Sequence, residues 1–580
     1  MFNRYFQQEL NYLKLLGEQF AKEHPALAPM LSGPTADPDV ERLLEGVAFL
    51  TAALRQKLDD EFPEIVHELI QLIWPHYLRP IPCSTIVVFS PKPALKRTIE
   101  IPAGIYLNSV EVEGTQCQFK TCYPIELHPL RILEASFEER VGRPPCIRLL
   151  LELNGITLVD WDPKAVRFYL ADTYGAAANI YLLLQRHLHE IIVSPLDGGN
   201  PLVLLPNNLK PVGFGNDEQL IPYPTHSFPG YRIFQEYFIM PEKFLFLDLT
   251  GLQQWRDRGT GNKLEISFVF RDLPFPPPPV RPESFALNAT PVINIFPHEA
   301  DPIRLDHKQA DYLVRPSGAN TEHYQVYSVE RVVGYLQGTA EERIYKPFEV
   351  FNPFPSETPL YHVKLRRTPV KGKTGEFSVF LSVAYPPGGD PPRLETLSIE
   401  LLCTNGALPE SLQLGDISLP TSSTPEFVSF KNTRPVTLNI LPPLGSNLLW
   451  RLVSLLSLNY LSLASAENLR ALLNLYVFTE SRDKASVVAN QKRIQAIESV
   501  EAVSKDRLVG GAVMRGQEIQ LKMRHDHFAS EGDMFLFGTV LDHFFGSYAA
   551  INTYTRLKIL ETVKGETYSW PARIGDRPMV

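Results

Sequence analysis

Residues 291–307, PVINIFPHEADPIRLDH, gather five side chains that could bind a metal ion or carry protons. Carboxylates and imidazoles are the groups with which a metal-dependent hydrolase holds its ion and activates water. A zinc site built on one helix needs two histidines at positions i and i+4, so that one face of the helix carries both rings. The five candidate side chains are His298, Glu299, Asp301, Asp306 and His307.

The spacing within this segment favours a structural turn over a metal site. Pro302 occupies position i+4 after His298, and a proline moves the residue before it out of the helical region. Arg304 could form an ion pair or a fork-shaped hydrogen bond with Asp301 or Asp306. We therefore expect a polar turn without a metal ion, and a metal-dependent hydrolase that uses the 298–307 cluster is the alternative. The residues of the expected turn are Asp301, Arg304, Asp306 and His307.

Motifs for other chemistries are incomplete in this sequence. The triplet GKT at 372–374 resembles the end of a phosphate-binding loop, but Arg367 stands where that loop needs its first glycine. The sequence contains neither a GxSxG elbow nor an HExxH pair. We therefore expect no catalytic residue, no cofactor and no bound metal.

The composition is that of an ordinary multidomain globular protein. A chain of 580 residues is too long for a single core, and 44% hydrophobic with 21% charged residues is typical of globular folding. The formal charge of −9 is mild for this length and gives no argument for nucleic-acid binding. The five cysteines include no CxxC pair, so we expect reduced thiols rather than a disulfide framework or a zinc site.

The sequence has no obvious membrane anchor or secretion signal. The longest apolar run, LLWRLVSLLSLNYLSLASA, is interrupted by Arg451, Asn459 and several serines. The N-terminal MFNRYFQQEL places charged and amide side chains where a signal peptide needs an apolar core. We therefore expect a cytoplasmic protein without direct membrane insertion.

Amphipathic helices are predicted within the first eighty residues. Apolar residues recur there at spacings of three and four, which gives one stripe on each of two helices. The β-rich sequence that follows offers no long helical partner, and a stripe that the chain leaves uncovered is normally covered by another chain. The candidate partner-binding residues are Phe6, Leu10, Leu13, Phe20, Leu43, Val47 and Leu54.

The remaining sequence changes between strand-like and helix-like patterns. Short β-branched and aromatic runs begin at Ser84, and the proline cluster at 274–282 marks a boundary. Near the C terminus the pattern predicts helices from SVVANQKRIQAIESVEAV and VLDHFFGSYAAI, and a strand from MFLFG. The expected fold is α+β and multidomain: an N-terminal helical region (1–80), a β-rich domain with a helical insertion (81–275), a second β-rich domain (284–440) and a mixed α/β C-terminal domain (441–580).

Ordered sequence blocks along nearly the whole chain resemble one protein family. They include YFQQELNYLKLLGEQFAKEHP (5–25), GYRIFQEYFIMPEKFLFLDLTGL (230–252), PPLGSNLLWRLVSLLSLNYLSL (442–463) and GDMFLFGTVLDHFFGSYAAIN (532–552). The opening segment, NIFPHEADPIRLDH, is similar to a signature of the same family. The sequence thus resembles the TssF family, also called VasA or ImpG, whose members are baseplate wedge subunits of bacterial type VI secretion systems.

The resemblance implies a structural role without catalysis. It implies that two copies of the chain bind one TssG subunit, and that they assemble with TssK and TssE around the VgrG spike to support the sheath and inner tube. Self-association within the wedge and docking at the inner membrane through the assembled complex follow from the same resemblance.

Overall fold

The computed structural model describes most of the chain, in two compact units. The smaller unit holds Met1–Leu78, Lys364–Ser378 and Leu444–Leu452, and the larger unit holds Arg79–Val363, Val379–Pro443 and Val453–Val580. The described residues are 6–7, 9–16, 38–53, 70, 74–139, 142, 144–223, 228–318, 320–336, 338, 341–348, 358–367, 377–385, 394–444, 465–478, 481–509, 512–549 and 553–575.

Two helices are described in the smaller unit. Helix α1 covers residues 6–7 and 9–16, and helix α2 covers residues 38–53. The Lys14 ammonium lies 3.5 Å from a carboxylate oxygen of Glu41, but both side chains are about half exposed, so this ion pair contributes little stability. Ala48 and Ala52, one turn apart on α2, are fully buried, so the inner side of this helix carries small residues.

The larger unit is mainly β-structure, with short strands as the proline-rich sequence predicted. The first fifteen strands are β1 Ser84–Pro91, β2 Ile99–Ile101, β3 Tyr106–Val112, β4 Thr115–Thr121, β5 Ile125–Leu127, β6 Leu130–Glu138, β7 Cys146–Leu153, β8 Ala165–Leu170, β9 Leu188–Pro195, β10 Leu202–Leu204, β11 Leu209–Val212, β12 Phe246–Thr250, β13 Lys263–Phe270, β14 Phe285–Leu287 and β15 Ala289–Ile293. The next fifteen are β16 Phe296–Glu299, β17 Ile303–Leu305, β18 Tyr312–Val314, β19 Gln325–Leu336, β20 Glu342–Pro347, β21 Leu360–Arg367, β22 Phe377–Ala384, β23 Glu395–Thr404, β24 Ile417–Pro420, β25 Val428–Asn432, β26 Ile497–Val509, β27 Ala512–Met523, β28 Thr553–Glu561, β29 Thr567–Ser569 and β30 Arg573–Ile574.

These strands form several separate sheets, most of them antiparallel. The strand orders are β24-β3-β4-β15-β1-β25, β10-β9-β13-β7-β6, β11-β12-β8-β14 and β2-β5. An eight-stranded sheet has the order β16-β23-β19-β20-β21-β22-β18 with β17 also paired to β23, and the C-terminal sheet has the order β26-β27-β28-β29 with β30 paired to β28.

Strand formation follows the alternation of side chains. In β7, Ile147, Leu149, Leu151 and Leu153 are fully buried, while the residues between them are partly exposed. Successive side chains of a strand point to opposite faces, so this pattern buries one face of the five-stranded sheet. The same sequence alternation predicted a strand here.

The six-stranded sheet joins segments that are far apart in the sequence. Strand β1 pairs with β15 on one side and with β25 on the other. These strands come from both of the predicted β-rich domains, and their hydrogen bonds form one continuous sheet. The four-domain division at 80, 275 and 440 stays a prediction about how the chain is organised.

Helices of the larger unit interrupt the strands at five described places. Their bounds are α3 Tyr174–Leu182, α4 Pro229–Ile239, α5 Ala466–Leu475, α6 Lys484–Gln495 and α7 Glu531–Ser547. A π-helical segment, Leu183–His187, continues α3 before β9. The fold is therefore α+β with several sheets, as the sequence predicted.

Two C-terminal predictions were wrong. MFLFG lies inside α7 rather than in a strand. The prediction failed because α7 is buried on all sides from Gly532 to Leu541, so its sequence shows no helical periodicity of apolar residues. Ser530 caps this helix by accepting a hydrogen bond from the amide of Asp533. The long helix predicted from SVVANQKRIQAIESVEAV ends at Gln495, because the residues from Ile497 onward pair with β27 along its whole length.

A glycine brings α7 against α3. A Cβ atom on Gly532 would lie 2.1 Å from the backbone of Ala178, so only glycine allows this approach of the two helices. This contact places the carboxylate of Asp533 inside the larger unit, where it joins side chains of several helices.

Candidate functional site

The segment 291–307 forms strands of two sheets. Strand β15 belongs to the six-stranded sheet, while β16 and β17 both run antiparallel to β23 in the eight-stranded sheet. Backbone pairing sets the positions of its polar side chains, with His298 opposite Leu401 and Arg304 opposite Thr396. The segment is therefore part of a β-framework.

His298 is held by neighbours that are not metal ligands. Its Nε2 atom lies 2.8 Å from the carbonyl oxygen of Ser317, and its ring stacks on Tyr324 with 4.7 Å between centroids. Within the described part of the chain, no group of three or more His, Cys, Asp or Glu side chains is arranged to hold a metal ion. The arrangement gives no support to the hydrolase alternative.

Asp306 closes a tight turn after β17. Its carboxylate accepts hydrogen bonds of 3.1 Å from the backbone amide of Lys308 and from the hydroxyl group of Tyr312. The Lys308 amide, followed by the Tyr312 hydroxyl, holds the pKa of Asp306 below its ordinary value although desolvation acts the other way. His307 takes the left-handed conformation, with φ of 58°. Asp306 and His307 thus lie in a turn, while the wider polar turn that also includes Asp301 and Arg304 stays a prediction.

The ion pair expected for Arg304 is absent. Arg304 is exposed and forms no ion pair with any of the described residues, including Asp301 and Asp306. The reason is the alternation of β17, in which Ile303 and Leu305 are buried and the side chain between them points to solvent. The Oδ1 atom of Asp306 meanwhile accepts both hydrogen bonds of the turn, so the prediction of an Arg304 ion pair was wrong.

The predicted apolar stripes lie on α1 and α2. Phe6, Leu10 and Leu13 on α1 are partly buried. Leu43 and Val47 on α2 are 69% and 40% exposed. Two further candidates, Phe20 and Leu54, lie outside the described residues.

The stripe on α2 is longer than the candidate set. Leu50 is 69% exposed, and it follows Leu43 and Val47 at i+7 and i+3 along one face of the helix. Phe49 next to it is also exposed. We call Leu43, Val47 and Leu50 the α2 stripe; the apolar spacing of the sequence places Leu50 on the same predicted stripe, although it was not among the candidate partner-binding residues.

A buried charged network in the larger unit has no counterpart among the sequence predictions. The carboxylate of Asp533 accepts hydrogen bonds from Tyr174 at 2.6 Å, from Tyr237 at 3.1 Å and from the guanidinium of Arg493 at 3.0 and 3.1 Å. These partners belong to three other helices, α3, α4 and α6. The network holds the helices together and leaves no open carboxylate for catalysis.

A second buried cluster surrounds Glu236 on α4. The Glu236 carboxylate contacts the ammonium of Lys243 and lies 3.4 Å from the guanidinium of Arg232. It also accepts hydrogen bonds from the amides of Leu220 and Ile221. Burial lowers the pKa of Lys243, although Glu236 acts against that shift. All three charged side chains are therefore enclosed and paired with an opposite charge, although the buried Nε atom of Arg232 has no hydrogen-bond partner among the described residues.

These observations define a class of protein: a large, β-rich scaffold whose two buried charged clusters are paired internally, with an exposed apolar helix face. Among the described residues, no helix is long and apolar enough to cross a membrane.

Comparisons with known proteins specify that class. The family model described as "Type VI secretion system, TssF" matches residues 1–577. A curated relative, the type VI secretion system component TssF1 of Pseudomonas aeruginosa, is 30% identical, and the match covers 99% of this chain and 98% of the relative. The chain belongs to the TssF family and is a baseplate component of a type VI secretion system.

Solved structures agree with this assignment. A chain of the TssK-TssF-TssG baseplate subcomplex, determined by cryo-electron microscopy, matches with a TM-score of 0.74 and 28% identity over 93% of this chain and 99% of that one. A chain of the baseplate complex from the type VI secretion system matches with a TM-score of 0.58 and 25% identity over the whole of both chains. The family expected from the sequence blocks is thereby confirmed.

Proposed function

We propose that this chain works by binding other baseplate subunits and that it catalyses no reaction. Its wedge would contain TssG and TssK, the proteins named with TssF in the similar subcomplex. In the fuller proposal, two copies of the chain bind one TssG, and the wedge also engages TssE, the sheath and the VgrG spike. The complex would assemble in the bacterial cytoplasm and dock at the inner membrane through the rest of the secretion machine.

The observation that supports this proposal is the α2 stripe. Single exposed leucines are common on protein surfaces, but three large apolar residues in helical register form a continuous face. Burying such a face against another helix gains roughly 25 cal/mol for each Å² of apolar surface removed from water. Helix-in-groove or helix-bundle binding uses anchors at this i, i+4, i+7 spacing. We therefore assign the α2 stripe to the contact with TssG.

The assignment of the α2 stripe to TssG also explains why α2 buries small residues and exposes large apolar ones. Its buried side carries Ala48 and Ala52, while the larger Leu43 and Leu50 lie outside. A helix that served only its own fold would direct its larger apolar residues inward. Three residues of α1, namely Tyr12, Leu15 and Leu16, are exposed as well and would extend the same kind of contact.

The test is copurification of the full-length chain with TssG. The double variant Leu43→Asp/Leu50→Asp should lose most of the TssG that the unchanged chain recovers, because charged groups cannot enter an apolar interface without a partner. A matched control is Leu205→Asp/Leu414→Asp: Leu205 is 69% exposed, like both stripe leucines, and Leu414 is 61% exposed. The control should recover TssG normally.

Different results of copurification and metal analysis would support different explanations. TssG recovery at the unchanged level with the stripe variant would reject the assignment of α2 to TssG. Equal loss with the control variant would indicate a general effect of added charge. Stoichiometric zinc or manganese in the purified chain, lost on replacing His298 and His307, would instead support the hydrolase alternative.

A further inference from the structure

Strand β26 is a long, open edge of the C-terminal sheet. It covers Ile497–Val509, lies at the end of the strand order and pairs on one side only, with β27. The residues from Glu501 to Arg507 are exposed, apart from the partly exposed Ala502. Besides β27 and the hydroxyl of Tyr554, none of the described residues hydrogen-bonds to the main chain of Glu501–Arg507. Unpaired backbone groups at such an edge can template pairing with another strand.

Two of the usual protections of an edge, proline and a bulge, are missing from this stretch, while four of its seven residues are charged. Edges are normally blocked by proline, by a bulge or by charges that repel a second strand. Glu501–Arg507 contains no proline, and the only register shift of the described β26–β27 pair lies earlier, between Ile497 and Ser499. Its charges have both signs, so their effect depends on the strand that approaches.

The charges of this edge complement a second copy of the same strand. Residues 501, 503, 505 and 507 alternate onto one face of the sheet. When two copies run antiparallel with Ser504 opposite Ser504, Glu501 of each copy lies opposite Arg507 of the other. The two-fold symmetry makes this pair twice. Neither Glu501 nor Arg507 forms an ion pair with any described residue of its own chain, whereas Lys505 is already paired with Glu518 at 2.8 Å.

The same register keeps both sheets continuous. In this arrangement, two residues lie opposite each other when their residue numbers add up to 1008. Odd-numbered residues therefore lie opposite odd-numbered ones, and the equivalent faces of the two sheets lie on the same side. We propose that β26 is a self-pairing edge: Glu501–Arg507 of one chain adds to the sheet of a second copy, antiparallel and centred on Ser504. This surface is separate from the α2 stripe, and the proposal does not depend on the contact with TssG.

A seven-residue strand pair is a small interface. Stable complexes bury about 1,200–2,000 Å² in total, so this contact alone would give a weak dimer and would add to other contacts in an assembly. Cross-linking of the full-length chain suits a weak contact because it traps pairs that form only transiently.

The first measurement is cross-linking through position 504, which lies opposite itself on the proposed two-fold axis. Ser504→Cys places a thiol opposite its own copy, where directly opposite Cβ atoms lie about 5 Å apart. Asp506→Cys is the matched control: it is equally exposed, but in this register the two copies of position 506 are roughly 13 Å apart along the strands. A short bismaleimide should join Ser504→Cys chains into dimers and leave Asp506→Cys chains and the unchanged chain, with its own five cysteines, as monomers. Cross-linking at both positions or at neither would overturn the proposal.

The second measurement uses charge, in chains that also carry Ser504→Cys. Glu501→Arg alone and Arg507→Glu alone each place two like-charge pairs across the contact and should weaken pairing roughly ten- to thirtyfold. A mixture of these two variants restores both opposite-charge pairs between unlike chains. Cross-linking through the thiol introduced at position 504 should therefore recover in the mixture, and only between the two different chains.

Rescue in the mixture cannot come from repair within one chain, because positions 501 and 507 are about 20 Å apart on the same strand. If each variant loses binding to another baseplate subunit and the mixture restores nothing, the edge receives a different protein and the proposal is wrong. Unchanged thermal melting of the two variants will show that folding is intact.

Discussion

Helix α2 exposes large apolar side chains, whereas helix α4 buries charged ones. On α2, Leu43 and Leu50 lie in solvent, whereas on α4 the charged Arg232 and Glu236 are fully buried. The buried charges have partners within the larger unit, including Lys243. The exposed leucines form a stripe that is apolar along its length. The larger unit thus pairs these buried charges with opposite charges of its own. The α2 stripe, by contrast, is suited to a contact outside the chain.

In a TssF chain, the sequence periodicity of a helix does not by itself decide which of its residues are buried. A helical pattern of apolar residues indicates which face is apolar, but burial depends on what the rest of the protein supplies. An interior that can enclose a charged cluster has backbone amides and opposite charges already in position. A surface helix in an assembly protein can keep its apolar face for another subunit.

The largest effect is expected on breaking the α4 cluster. Glu236→Ala leaves the guanidinium of Arg232 and the ammonium of Lys243 buried without their carboxylate, and should lower the free energy of unfolding by about 3–5 kcal/mol. Urea denaturation followed by near-ultraviolet circular dichroism will measure this loss. The control Glu100→Ala removes an exposed ion pair with Lys164 and should change stability very little, because water screens the pair. Equal effects of the two variants would mean that the α4 cluster is open to water.

A smaller, pH-dependent effect is expected at Glu561. Burial by itself raises the pKa of this carboxyl group, but hydrogen bonds from the ring of His525 and from the amides of Lys564, Val563 and His525 outweigh it and lower the pKa from 4.5 to about 2. Because the folded-state pKa is lowered, the stabilising contribution is present above pH 4.5 and disappears as the pH falls towards 2. Glu561→Gln should therefore lower stability by about 3 kcal/mol at neutral pH.

The pH series supplies the check on that prediction. The difference between Glu561→Gln and the unchanged chain should shrink steadily below pH 4.5. Glu498→Gln, at an exposed position on β26, should show little difference at any pH. A Glu561→Gln deficit that stays constant down to pH 3 would show that lost packing, and not the charge of Glu561, causes the effect.

The smallest effect on stability is expected from substitutions in the exposed α2 stripe. Leu43→Asp/Leu50→Asp should change the melting behaviour of the isolated chain very little, by less than ~0.5 kcal/mol, because exposed positions away from structural contacts tolerate substitution. The same variant is expected to lose TssG. A stability loss above ~2 kcal/mol would show that the α2 stripe packs inside its own chain, which would remove the contrast with α4.

Local patterns predicted much of the fold. The short β-branched and aromatic runs that begin at Ser84 predicted strands, and one of these runs, CIRLLLEL, forms β7. MFLFG failed because its residues are buried on every side of α7, which removes the periodicity that separates a helix from a strand. The polar turn of Asp301, Arg304, Asp306 and His307 stays a prediction, and Arg304 was assigned a partner that the outward face of β17 does not offer.

The sequence alone determined that the chain is α+β and that it resembles the TssF family. These features depend on local spacing and on ordered blocks of residues, which can be read without knowing the packing. The tertiary structure decided which charges are enclosed and which apolar residues are outside. Asp533 meets Arg493, 40 positions away, and Tyr174, 359 positions away, and local periodicity carries no information about partners at such distances.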